Sequence, residues 1–432
     1  TEIYTLSLHD ALPILGRTRS FTRLIGATVL GAAGGIAGNF ALSFLVFDET
    51  GSTFAAALVI AAQILPDFFI PLFLSPLMDR LPRKPILVAG DAANGVLYTL
   101  AGIYLLNFKF SYIGFLCFSL LIACLSSFDS LAFTAIFPKI IPEGCEEKGY
   151  TISGMVYPIM KVVMMPVAAW LFGAVGVAWI LIFQGACSVF AALIENSIHI
   201  SEQTDRNRGK IFSFRQWIED IKEAAVFLRD HKGLYSIFSY MAVTNGVATG
   251  YAPIIVAFFR TAPGFSVAMY SFFSIAEFAG RSLGGLLHYN VSIPPKRRFA
   301  MAFLIYQIYE LMDMILLWIP YPFMLANRAV CGFLGINSAS MRQHAVQGII
   351  PENMRARVNA FNSMIMSAAF ILLSMGVGYL GELLDYRVCV TLCGALAAIA
   401  CWVLIWRNRR SVMTIYNRED EPRSETLQPA ES

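Results

Sequence analysis

Two apolar runs, residues 53–74 and 85–106, flank a ten-residue polar turn from Ser75 to Lys84. A helix needs about 20 residues to cross the ~30 Å hydrocarbon core of a bilayer, so each run is long enough to span and the turn must lie in headgroups or water. The alternation continues along the whole chain. Further spans are expected at 24–46, 112–137, 151–173, from the turn at Gly176 to Ile198, and at 234–259, 268–287, 299–319, 323–345, 358–381 and 388–406. Only 14% of the residues are charged and 57% are hydrophobic, where a soluble globule carries about 25% charged residues. The expected fold is an all-α membrane protein with twelve transmembrane helices.

The polar turn reads Asp79-Arg80-x-x-Arg83-Lys84, with Ser75 four residues ahead of Asp79. This spacing resembles the loop signature of the major facilitator superfamily, in which a glycine stands where this chain has Ser75. The resemblance implies two six-helix bundles enclosing a cavity, and a gating loop made of Asp79, Arg80, Arg83 and Lys84. In that gate Asp79 meets the amino end of the eleventh span near Val358, and Arg80 or Arg83 engages a carboxylate such as Glu143. An internal repeat points the same way. Gly284 and His288 lie 209 residues after Ser75 and Asp79, and Ile140-Ile141-Pro142-Glu143 returns at the same offset as Ile349-Ile350-Pro351-Glu352. Two loops at one offset imply duplication of half the chain.

Cations mark the cytoplasmic face of a membrane protein when counted over its short loops. Thirteen of them, from Arg80, Arg83 and Lys84 to Arg407, Arg409 and Arg410, fall on one side of the expected spans, against Lys109, Arg260 and Arg387 on the other. Both termini are therefore expected in the cytoplasm, and the resemblance suggests the inner membrane of a bacterium. The expected organisation is a non-native leader at 1–16, a first bundle at 17–198, a cytoplasmic linker with an amphipathic helix at 199–233, a second bundle at 234–406 and a disordered tail at 407–432. Seven of the eight cysteines fall in apolar spans and read as small core residues.

Ionisable groups inside the spans are the candidates for chemistry, because a charge at the centre of a membrane helix costs at least about 2.5 kcal/mol. At 1.5 Å per residue, Asp67, Lys161 and Glu277 fall near the midplane and Asp129 slightly nearer the basic side, so the four could converge on a substrate and proton pathway. Arg281 follows Glu277 by four and shares its helix face. Asp313 and Arg328, at similar depth on sequential spans, are expected to form a structural ion pair, which Glu310 could join unless it faces Arg281. Asp91 and Glu195, close to the basic turns, are expected to balance those turns.

The expected function is secondary transport of a small molecule, with the protein monomeric in the bilayer. The loops Phe137 to Glu143, Pro351 to Val358 and Thr50-Gly51-Ser52, together with Asp91, look like those of the macrolide-efflux and enterobactin-exporter branch, which implies export of a drug-like or siderophore-like molecule in exchange for protons. Uptake by symport and a non-transporting receptor or scaffold are the alternatives. No P-loop, paired-aspartate, G-x-S-G or H-E-x-x-H motif occurs, so an enzyme is not expected, and neither a cofactor nor a nucleic-acid partner is implied.

Overall fold

The computed structural model describes residues 19–78, 82–141, 145–198, 214–290 and 293–418. The expected leader and the gating residues Asp79, Arg80 and Glu143 lie outside them. The described residues form fourteen α-helices in chain order: α1 (Arg19–Thr50), α2 (Thr53–Met78), α3 (Arg83–Asn107), α4 (Tyr112–Ile140), α5 (Glu146–Ala174), α6 (Val177–Asn196), α7 (Phe214–Asp230), α8 (Lys232–Thr261), α9 (Val267–Asn290), α10 (Pro295–Ile315), α11 (Tyr321–Gln347), α12 (Glu352–Leu383), α13 (Tyr386–Ala400) and α14 (Arg409–Tyr416).

Nine helices among the described residues are long and apolar enough to cross a membrane: α1, α3, α4, α5, α6, α8, α10, α12, and α13 continued through the π-helical turn Cys401–Trp406. The other three expected spans correspond to α2, whose described apolar stretch is Thr53–Asp67, and to α9 and α11, which hold Glu277 and Arg281, and Arg328 and Arg342. The outward surface is apolar. Trp170, Trp179, Phe190, Leu193, Leu286 and Ile399 are exposed, which is unfavourable in water and matches a lipid solvent. This is a multi-pass membrane protein.

Three short connections need a left-handed backbone that only glycine adopts at little cost: Gly51 between α1 and α2, Gly176 between α5 and α6, and Gly264 between α8 and α9. Glycine also sets how closely helices approach. A Cβ at Gly185 would lie 2.7 Å from the Gly95 carbonyl oxygen, and one at Gly95 would lie 2.9 Å from that of Gly185, so α3 and α6 meet backbone to backbone. Helices α9 and α11 do the same where Gly280 faces the Ala329 carbonyl and Gly332 faces that of Glu277.

Helices α1–α6 pack chiefly on one another, as do α8–α13, and the two sets join through α2 against α12 and α5 against α9. Contacts between the sets gather at the end holding the glycine turns. There Thr53 Oγ1 donates to the Gly378 carbonyl at 2.8 Å, Ser52 donates to Glu382, and Arg260 Nε pairs with Asp48 at 2.6 Å. Phe40 and Phe44 meet the ring of Tyr270 beside them. At the opposite end α7 packs on α12, where Arg357 pairs with Asp220 at 2.9 Å and with Glu223.

The chain does not lose structure at residue 407. Val412, Ile415 and Tyr416 of α14 are buried against α8, α10 and α11, the Tyr306 and Tyr416 hydroxyls bond at 2.7 Å, and Asn417 Oδ1 accepts from the Phe299 amide at 3.0 Å. Apolar side chains spaced at three and four draw the first turns after α13 back onto the bundle.

Candidate functional site

A cavity lined in part by polar side chains lies among α1–α6. It measures about 650 Å³, within the range of pockets that hold small molecules. Asp91, Asn94 and Tyr98 reach it from α3 at i, i+3 and i+7, and Gln184, Ser188 and Glu195 reach it from α6 at i, i+4 and i+11. Each set is therefore one face of its helix, and the close approach at Gly95 and Gly185 lays the two faces side by side. Asp129 enters from α4. A Cβ at Gly90 would collide with its carboxylate, so the bare backbone at that position is what admits it.

Asp129 Oδ2 accepts from the Asn94 amide at 3.1 Å. The Asp91 and Glu195 carboxyls lie within electrostatic reach of each other. Asp67 lines the same chamber and accepts from the Ser127 hydroxyl. Of the four groups expected to converge, the structure thus brings Asp67 and Asp129 together. Lys161 and Glu277 do not line the chamber; they sit on α5 and α9, which pack against each other, with Lys161 in electrostatic reach of Glu277. Glu277 pairs with Arg281 at 2.7 Å.

Asp91 and Glu195 depart from the sequence-based expectation. They face inward and complete a carboxyl cluster with Asp129, while Lys84 and Arg23 reach the last carbonyls of α6, at Asn196 (2.7 Å) and Ser197 (2.6 Å), where cations favour the helix dipole. Glu310 also departs. It joins neither Asp313 nor Arg281 but accepts from Tyr240 at 3.0 Å and from Thr244 at 2.8 Å. Asp313 and Arg328 form a buried ion pair. The polar faces of α3 and α6 were readable as helical spacings; that they oppose each other was not.

The second cavity, about 390 Å³, lies among α8, α11 and α12 and is lined by Arg342, Gln343, Gln347, Asn359 and Asn362, with Met241 and Met366. Among the described residues no group of three or more His, Cys, Asp or Glu is arranged to hold a metal ion. All eight cysteines are free.

The family pattern described as Major Facilitator Superfamily matches residues 24–312, about two thirds of the chain. The chain belongs to this superfamily. It is 23% identical over 324 residues to an uncharacterised MFS-type transporter, YkuC, of Bacillus subtilis (strain 168), covering 71% of this chain and 73% of that one. Solved superfamily structures share the fold at low identity. The nucleoside transporter NupG superposes with a TM-score of 0.65 at 13% identity, covering 89% of this chain and 98% of its own. A bacterial homologue of the human lysosomal transporter Spinster, inward-facing and occupied, gives 0.65 at 13% over 93% and 98%. A POT family transporter bound to 5-aminolevulinic acid gives 0.68 at 9% over 91% and 96%.

Proposed function

We propose that this protein is a secondary active transporter that exports a drug-like or siderophore-like small molecule in exchange for protons, by alternating access. The observation that carries the proposal is the carboxyl cluster Asp91, Asp129 and Glu195 on the wall of a chamber large enough for such a substrate. Carboxyls held together at membrane depth cannot all be charged at once, so they take up and release protons as their exposure changes.

The finer architecture is part of the same proposal: twelve spans in two six-helix bundles, both termini in the cytoplasm of a bacterium, the protein acting as a monomer. Helix pairing supports it. The neighbours α1–α5, α1–α6, α2–α4, α3–α4 and α3–α6 recur as α8–α12, α8–α13, α9–α11, α10–α11 and α10–α13, and the cross-contacts α2–α12 and α5–α9 exchange under the same shift. With the basic turns placed in the cytoplasm, the contacts at Thr53, Asp48 and Glu382 close the periplasmic side, and the chamber opens inward. Asp79, Arg80, Arg83, Lys84 and Glu143 would then close the opposite side in the other state.

Inside-out vesicles with an acidified lumen and a pH-sensitive dye test the proposal. Adding a transported compound should collapse the gradient, and Asp129→Asn should remove the response while leaving the protein folded. A gradient that every tested compound leaves intact, with the native protein present in the membrane, refutes proton-linked export.

A further inference from the structure

The cavity among α8, α11 and α12 is the counterpart of the one among α1–α6. Phe133, Ser153 and Tyr157 line the first, and the residues 209 further on, Arg342, Asn362 and Met366, line the second. Ala32 and Met241 repeat the relation on α1 and α8. The charges are opposite. Asp67, Asp91, Asp129 and Glu195 line the first with no Lys or Arg among its described residues. On the second wall Arg342 carries the charge, and no Asp or Glu stands among the described residues there.

Arg281, Arg328 and Arg357 each bond a carboxylate, and the acids that reach α12 from α7, Asp220 and Glu223, are both taken by Arg357. Arg342 differs. It is half-buried, five residues before the end of α11, and among the described residues it makes neither a hydrogen bond nor an ion pair, with the Tyr416 phenol in electrostatic reach. Its guanidinium offers five N–H donors in a planar fork and keeps its charge at any physiological pH. The neighbouring amides add donors. Gln347 Nε2 donates to Asn359 Oδ1 at 3.2 Å, which leaves the Asn359 nitrogen for the cavity. Asn362 turns its oxygen into the protein, so nitrogen is the polar atom it presents to the cavity. Phe238, Met241, Val346 and Met366 supply apolar wall. A guanidinium flanked by amide donors matches the oxygens of a carboxylate or phosphate, and about 390 Å³ is room for an organic molecule that carries one.

We propose that this cavity binds the carboxylate or phosphate group of an organic anion, through Arg342 with Asn359 and Asn362. The proposal rests on the export reading for its meaning, since it gives the class of molecule exported, yet binding is measured separately from flux. The test uses the full chain purified in phosphatidylcholine nanodiscs and titrated calorimetrically with four probes of similar skeleton: phenylpropionate, phenethyl phosphate, phenylpropionamide and phenethylamine. The two anions should bind roughly 10- to 100-fold more tightly than the amide, the factor that a hydrogen bond to a charged group is worth, and the amine should bind no better than the amide. Arg342→Gln should erase most of that preference without changing the amide. Equal binding of the anions and the amide, or tighter binding of the amine, overturns the proposal. These comparisons use the native chain and so decide the matter even where a variant fails to fold. Phosphatidylglycerol in the nanodisc should weaken anion binding no more in the native chain than in Arg342→Gln; a loss confined to the native chain assigns Arg342 to a lipid headgroup and overturns the proposal. Anion-selective binding in a protein whose vesicles show no proton-linked flux supports the site while refuting export; proton-linked flux without anion selectivity overturns the site alone.

Discussion

Arg328→Met should be among the most destabilising single changes in this protein. The Arg328 and Asp313 side chains are 10% and 4% exposed, and they bond directly. Asp313 Oδ2 also accepts from Tyr251 at 2.7 Å, while Arg328 Nη2 donates to Asn327 Oδ1 at 2.9 Å. Removing the guanidinium leaves a carboxylate in an apolar surrounding with one neutral donor, and breaking a buried pair in this way costs about 3–5 kcal/mol. Near 2–4 °C per kcal/mol for a unit of ~200 residues, the thermal midpoint should fall by roughly 6–20 °C, read in detergent with a thiol-reactive dye on the buried cysteines. Combining Asp313→Leu with Arg328→Met removes both charges together and should recover most of the loss. A single variant within about 1 kcal/mol of native, or a double variant no better than the single, would refute a buried pair that stabilises by mutual neutralisation.

Gly90→Ala should shift Asp129 more than it unfolds the protein, because the new methyl meets the movable end of a side chain; vesicle flux should drop while the thermal midpoint stays near native. Gly280→Ala meets the Ala329 backbone instead and should cost about 1–3 kcal/mol, visible as a lowered midpoint. Lys161→Met and Glu277→Gln are each expected to abolish pH-dependent transport with the fold intact, and normal transport by both would return these residues to a structural role. Asp79→Asn should raise labelling of single cysteines on the cytoplasmic side, and unchanged labelling would remove Asp79 from the gate.

The long helices were legible from apolar length alone, and so was the Asp313–Arg328 pair, since sequential spans around Pro320-Tyr321-Pro322 put both at one depth. Asp129 could be placed by counting residues along α4. Asp91 and Glu195 could not, because their nearness to basic turns in sequence suggested partners there, whereas their neighbours are fixed by how α3 rolls onto α6. Two glycines, Gly95 and Gly185, set that contact, and nothing in either segment names the other. α14 was hidden for a related reason: Val412, Ile415 and Tyr416 are too few to signal a helix until α8, α10 and α11 supply a surface for them. Glu310 has Tyr240 and Thr244 as partners from α8, a helix 49 residues upstream at its last residue Thr261.

Where glycines bring helix backbones into contact, no side chain remains to be squeezed, and such pairs tilt together or not at all. Under the proposed alternating access, the seam formed by Thr53 with Gly378 and by Phe40 and Phe44 with Tyr270 would be the fulcrum for that tilt. Helix α2 has 26 residues and at 1.5 Å per residue is about 39 Å long. A rotation of about 10° at the seam would therefore carry its far end some 7 Å, roughly the width of an aromatic ring. Leverage of this kind would let a mouth open and shut while the glycine-packed pairs stayed as they are.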